Sequence, residues 1–158
     1  MRNYIYILSV VTFLFSSESL LIEKYTQAQS FRKSGDYDIC LDILFDLEKT
    51  DLKYNYDIAD IYLNDFSNHS IALKHFNKIL INTDFNSQIS VDLKKIYKKS
   101  LFMSSYIYSN YLGMYTDGYD GYKLFLELFP EDELSGSVNY EVDLLEEKEL
   151  AKNKLLNK

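Results

Sequence analysis

A few residues have the right type for chemistry. Asp117 and Asp120 stand among the glycines of GMYTDGYDGYKLFLELFP (113–130). Asp38, Asp42 and Asp46 form an acidic row, and His69, His75 and Cys40 complete the set. Glycines mixed with carboxylates could cradle a phosphate or ring a cation. A phosphate loop needs a Lys and a Ser or Thr after its last glycine, with a strand before it, and GMYTDGYD has neither. A calcium loop needs oxygen ligands at alternate positions and a distal Glu in register; Asp117 and Asp120 do not fit that spacing. Asp38, Asp42 and Asp46 recur every four residues, so they share one helix face. With no His or second carboxylate row opposite, they read as a solvated face. His69 and His75 are six apart and do not share a helix face as ligands would. His69 reads as a turn residue and His75 as an exposed helix residue. Cys40 lies in an apolar pattern with no base positioned to activate it, and a single cysteine leaves no internal disulfide and no thiolate zinc site. No serine sits in a nucleophile elbow. Glu146, Glu147 and Glu149 read as a solvated charge cluster. The sequence therefore assigns no catalytic, cofactor-binding or metal-binding residue, and the chain reads as non-enzymatic.

The bulk composition narrows the partners. A net charge of -7 over 158 residues argues against nucleic acid, which needs clustered Lys and Arg. It also argues against docking on an anionic membrane surface. The chain is 47% hydrophobic, enough for the core of one domain. One proline and five glycines suit a mostly helical chain. The 15 tyrosines are consistent with an AT-rich genome, so their number says little about function.

The elements that would position these residues are helices. Residues 1–19 have Arg2, an apolar run from Tyr4 to Phe15, and then small polar residues, the layout of a secretory signal peptide. The run is short for a membrane span, which needs about 20 apolar residues. An uncleaved anchor and a buried first helix are the alternatives. Leu21, Tyr25 and Ala28 then recur at helical spacing. Ser34-Gly35-Asp36 breaks that helix, with Gly35 at its C-terminal turn and Asp36 able to cap the next. In the next helix Tyr37, Cys40, Leu41, Leu44 and Leu47 share one face. YNYDIADIYLND and SIALKHFNKILI form a second pair around a break at Phe66-Ser67-Asn68. Residues 82–90 read as a linker, 91–112 as a long helix, and 138–156 as a last charged helix with Val138, Val142, Leu145 and Leu150 on its apolar side. No strand pattern appears.

Three segments align. Ala28, Phe31, Gly35, Tyr37, Cys40 and Leu44 mark the first. Ala59, Tyr62, Ala72 and Phe76 mark the second. Ser105, Tyr108, Gly113, Tyr115, Gly118, Tyr122 and Pro130 mark the third. Each has a small residue, an aromatic three later, a turn, a second small residue and a large apolar residue four beyond. Small residues let two antiparallel helices approach closely, and large ones fill the gap to the next helix. The second and third segments carry one extra residue between the aromatic and the second small position. In this frame Gly118 and Gly121 are helix-interior residues, not loop residues. The pattern resembles the tetratricopeptide repeat, and the leader and the ending LFLELFPEDELSGSVNYEVDLL are similar to those of bacterial periplasmic and outer-membrane-associated members of that family.

That resemblance implies an all-α fold of about three helical hairpins over 20–135, a short right-handed solenoid, with a C-terminal capping helix and frayed tail over 136–158. It implies a non-catalytic scaffold of the cell envelope, periplasmic or secreted. Such a scaffold would bind a protein or peptide, and would use no cofactor, no nucleic acid and no membrane insertion once the signal is removed. The concave face, lined by the first helix of each pair, would be the binding surface. Counting from the aligned aromatics places Tyr25, Gln29, Arg32, Tyr56, Asp60, Leu63, Phe102, Tyr106 and Ser109 there. The alternative is a structural subunit of a larger envelope assembly, of the outer-membrane protein assembly or Tol-Pal kind.

Overall fold

The computed structural model describes residues 2–85 and 87–156, with side chains for 18–85 and 87–149. The described residues form seven α-helices and no strand: α1 (Arg2–Ser34), α2 (Tyr37–Leu47), α3 (Tyr54–Asn64), α4 (His69–Asn82), α5 (Val91–Asn110), α6 (Tyr115–Leu128) and α7 (Ser135–Leu156). They divide into two compact units, Met1–Ile58 and Ala59–Lys158, with the division inside α3.

In the first unit α1 packs on α2 as a hairpin. α1 is one helix from Arg2, so its backbone continues through the boundary expected after residue 19. Among the described residues no helix is long and apolar enough to cross a membrane. α1 ends because Gly35 takes a left-handed φ of +85°, a conformation that costs glycine little. Arg32 and Lys33 in its last turn complement the helix dipole. Asp36 stands at the N-cap of α2, but its carboxylate makes no cap bond. It accepts the Ser34 hydroxyl instead. α2 is amphipathic as its spacing requires: Cys40, Leu41, Leu44 and Leu47 are buried, and Asp38, Asp42 and Asp46 are exposed. Each fully buried aliphatic side chain contributes about 1.5–3 kcal/mol. The link to α3 is tied by the Thr50 hydroxyl on the Leu47 carbonyl at 2.7 Å and by the fully buried Asn55, whose amide donates to the Leu52 carbonyl at 3.1 Å.

In the second unit each helix packs on the next: α4 on α5, α5 on α6 and α6 on α7. Asn68 caps α4 by accepting the Ile71 N–H, and Ser90 caps α5 by accepting the Leu93 N–H, each at 3.1 Å. α6 stops at Leu128, two residues before Pro130. The core gathers Tyr97 and Leu101 of α5, Tyr122 and Phe125 of α6, Phe129, and Val138, Val142 and Leu145 of α7. The apolar side expected for the last helix is therefore its buried side, while the Leu150 side chain lies outside the described residues. The expected linker is not a free tether. Phe85 in it lies 4.9 Å from the Tyr97 ring and 5.4 Å from the Phe129 ring, centroid to centroid, and Thr83 is buried. Lys98 of α5 pairs with Asp132, whose carboxylate also accepts the Leu134 N–H. The Lys98 hydrogen bond is the main reason that the Asp132 carboxyl lies below its ordinary range.

Three turns share one plan. In each, the residue after a left-handed apex donates its N–H to the carbonyl of the aligned aromatic: Asp36 to Phe31, Asn68 to Tyr62, and Met114 to Tyr108. The apices are Gly35, Ser67 and Gly113, with φ of +85°, +52° and +66°. Four residues later the small position, Cys40, Ala72 or Gly118, donates back to the same donor residue's carbonyl. The first turn closes over five residues and the other two over six, which is where the extra residue resides.

Candidate functional site

The glycine-rich stretch is structural. Gly118 and Gly121 lie inside α6 and face α5. A Cβ at Gly118 would lie 2.8 Å from the Ser109 Cβ and 3.0 Å from the Ser105 carbonyl oxygen. One at Gly121 would run into the Ser105 hydroxyl. The two helices meet here because all four residues are small. Asp117 and Asp120 point to solvent. Among the described residues no group of three His, Cys, Asp or Glu side chains could hold a metal ion.

The other chemically capable residues are also separated. His69 opens α4 rather than sitting in the turn before it. His75 is not exposed, as the sequence suggested: it is buried, its ring lying nearly parallel to Tyr62 at 6.2 Å. His75 lies three residues after Ala72 and four before Ile79, so it falls on the buried side of α4. Asp46 pairs with Lys24 at 2.7 Å and Lys49 at 3.5 Å. The Lys24 hydrogen bond and charge, then the Lys49 charge, hold its carboxyl below the usual range. Lys24, Gln27, Asp42, Ile43 and Asp46 line a shallow groove of about 260 Å³ between α1 and α2.

Of the expected contact residues, Tyr25, Gln29, Arg32 and Tyr56 lie in the first unit, and all are partly buried. Tyr25 donates its hydroxyl to Asp57 at 3.1 Å and tilts its ring against Tyr54 at 5.4 Å. Burial, then the Asp57 charge and hydrogen bond, push the Tyr25 phenol well above its ordinary value, so it remains a neutral donor. One turn on, the buried Gln29 Nε2 has no acceptor. Asp57 is the residue that sequence reasoning missed. Its only signal is its place next to Tyr56.

The second unit holds Asp60, Leu63, Phe102, Tyr106 and Ser109. Asp60 is partly buried and accepts the Asn64 amide at 2.7 Å. Two of these residues are not on a surface. Leu63 is buried one turn after the buried Ala59, because it belongs to the apolar side of α3. Ser109 is buried against Gly118 and donates to the Ser105 carbonyl at 2.9 Å, because α5 turns its small residues toward α6. Phe102 and Tyr106 are partly exposed and stack at 6.4 Å. Tyr106 meets Tyr111 edge-on at 5.8 Å, and Tyr111 stacks on His69 at 3.7 Å. A row of four rings thus runs from α5 to the start of α4. The sequence alignment did not single out Tyr111, since it is one residue beyond α5.

Comparison with models of protein families and with curated proteins finds no match for this chain.

Proposed function

We propose that the protein is a non-catalytic interaction scaffold of tetratricopeptide-like build. α1–α2, α3–α4 and α5–α6 would be its three hairpins and α7 its cap. The shared plan of the three turns supports the build, since the same bond from the residue after the apex to the aligned aromatic recurs in each. The observation that carries the function is the ring row Phe102, Tyr106, Tyr111 and His69, in which Tyr111 is half exposed. Aromatic side chains offer large, rigid contact area with a polar tip, and they dominate protein interfaces. The leader-like residues 1–19 support action in the envelope, outside the cytoplasm.

In-cell crosslinking of a C-terminally tagged chain, read by mass spectrometry, tests this reading. Capture of a defined envelope protein should fall at least tenfold in the Tyr106→Ala variant. Undiminished capture would remove the aromatic surface from the function. A second reading, packing into a larger assembly as a structural subunit, is favoured by Leu20, Ile22 and Ile39, which stand exposed on the α1–α2 hairpin. An obligate complex on native sizing would select it.

A further inference from the structure

The second unit exposes large apolar side chains at one end. Phe66 sits in the α3–α4 turn, Tyr111, Leu112 and Met114 sit in the α5–α6 turn, and Tyr115 opens α6, with exposures of 45%, 51%, 37%, 43% and 53%. The Tyr111 ring stacks on His69, the first residue of α4, which brings the two turns side by side. Soluble proteins seldom expose apolar patches of several hundred Å² without a use. Both turns are held in left-handed backbone, at Ser67 and Gly113, so the exposure is built in and not a fraying end.

The charges at this end are mostly carboxylates. Asp65 closes α3, and Asp117 lies in the first turn of α6; both are exposed. The lysine that reaches the patch, Lys148 of α7, sits 5.4 Å over the Tyr115 ring. An ammonium therefore already finds a favourable seat on the Tyr115 ring. We propose that this end docks a cationic segment of a partner protein, one that places aliphatic side chains on Leu112 and Met114 and Lys or Arg beside Asp65, Asp117 and the tyrosines. The proposal rests on the scaffold reading and names the chemistry of its partner. Two other occupants fit less well. An anionic bilayer would meet Asp65 and Asp117 with like charge. A second copy across a two-fold axis would bring the same acidic rims together in a chain of net charge -7.

The probe is a synthetic amphipathic 14-residue Leu/Lys peptide, with a Leu/Glu peptide of the same pattern as control, read by fluorescence anisotropy on the full chain. The Leu/Lys peptide should bind in the micromolar range and the Leu/Glu peptide should not. Tyr111→Ser/Met114→Ser should weaken binding about tenfold. Met114→Lys, which repels the probe without removing packing, should do the same. Asp65→Asn/Asp117→Asn should weaken it about fivefold and flatten its salt dependence. Equal binding of both peptides would overturn the proposal. So would self-association, or partition onto phosphatidylcholine vesicles, that the end variants abolish. Binding that Tyr106→Ala removes but the end variants spare would leave the scaffold reading standing and remove this site. Binding indifferent to all of these variants would remove both.

Discussion

Ser67 occupies in its turn the place that Gly113 occupies in the next. Each is left-handed, and each is followed by a residue whose N–H reaches the carbonyl six positions back, Asn68 to Tyr62 at 2.7 Å and Met114 to Tyr108 at 2.8 Å. A side chain in this backbone region costs about 1–2 kcal/mol, which glycine avoids. Glycine in turn loses more freedom on folding. Ser67→Gly should therefore raise stability by about 0.5–1 kcal/mol in urea melts. Gly113→Ala should lower it by about 1 kcal/mol or more, although a Cβ there would meet open space.

The two glycines of α6 should respond differently. Alanine is the better helix former by about 1 kcal/mol. At Gly118 the added carbon meets the Ser105 and Ser109 backbone and Cβ, which cannot move without shifting α5. Gly118→Ala should cost about 2 kcal/mol net. At Gly121 the obstacle is the Ser105 hydroxyl, which can rotate away from its bond to the Leu101 carbonyl. Gly121→Ala should be milder, and adding Ser105→Ala should recover most of the loss. Chemical denaturation of the three variants checks this.

Buried phenols set the alkaline limb of stability. Burial raises Tyr25 and Tyr122 above their ordinary value, and the Asp57 carboxylate adds to this at Tyr25. In the unfolded chain a tyrosine ionises near about pH 10. Above that pH the unfolded state has released protons that the folded state still holds. Stability is then full below about pH 10 and falls as pH rises toward the folded values. Urea midpoints between pH 8 and 11 should show the fall. Tyr25→Phe should flatten it while costing about 1 kcal/mol at pH 7 through the lost bond to Asp57.

Phe85 packs its ring on Tyr97 and Phe129 of the second unit's core. Phe85→Ala should cost about 2–3 kcal/mol, at the low end for a phenylalanine because the ring is only partly buried. It should also speed proteolysis within 83–90, read by limited digestion and mass spectrometry. An unchanged cleavage rate would mean that the segment is held by its other contacts.

The helices were legible because their apolar spacing is regular and their stops are explicit. Cys40, Leu41, Leu44 and Leu47 against Asp38, Asp42 and Asp46 leave one possible inward face for α2. The extra residue in two of the aligned segments was also countable, but its cause, a turn closed over six residues instead of five, depends on backbone bonds that residue types do not encode. The candidate surface was less legible for a related reason. Whether Leu63, His75 or Ser109 is exposed depends on where the neighbouring helix crosses, and that crossing is set jointly by both helices. Phe85 looked like part of a polar linker because Phe85 and Ile89, alone among polar residues, are too few to set a period. Its role appears only with Tyr97 and Phe129 in place.

Cys40 is fully buried where α2 meets α1. A thiol reagent can reach it only when that hairpin opens. Its labelling rate is therefore a clock for local opening, read without any engineered probe. Comparison with amide exchange along α5 and α6 would tell whether the first hairpin breathes independently or opens only with the whole chain.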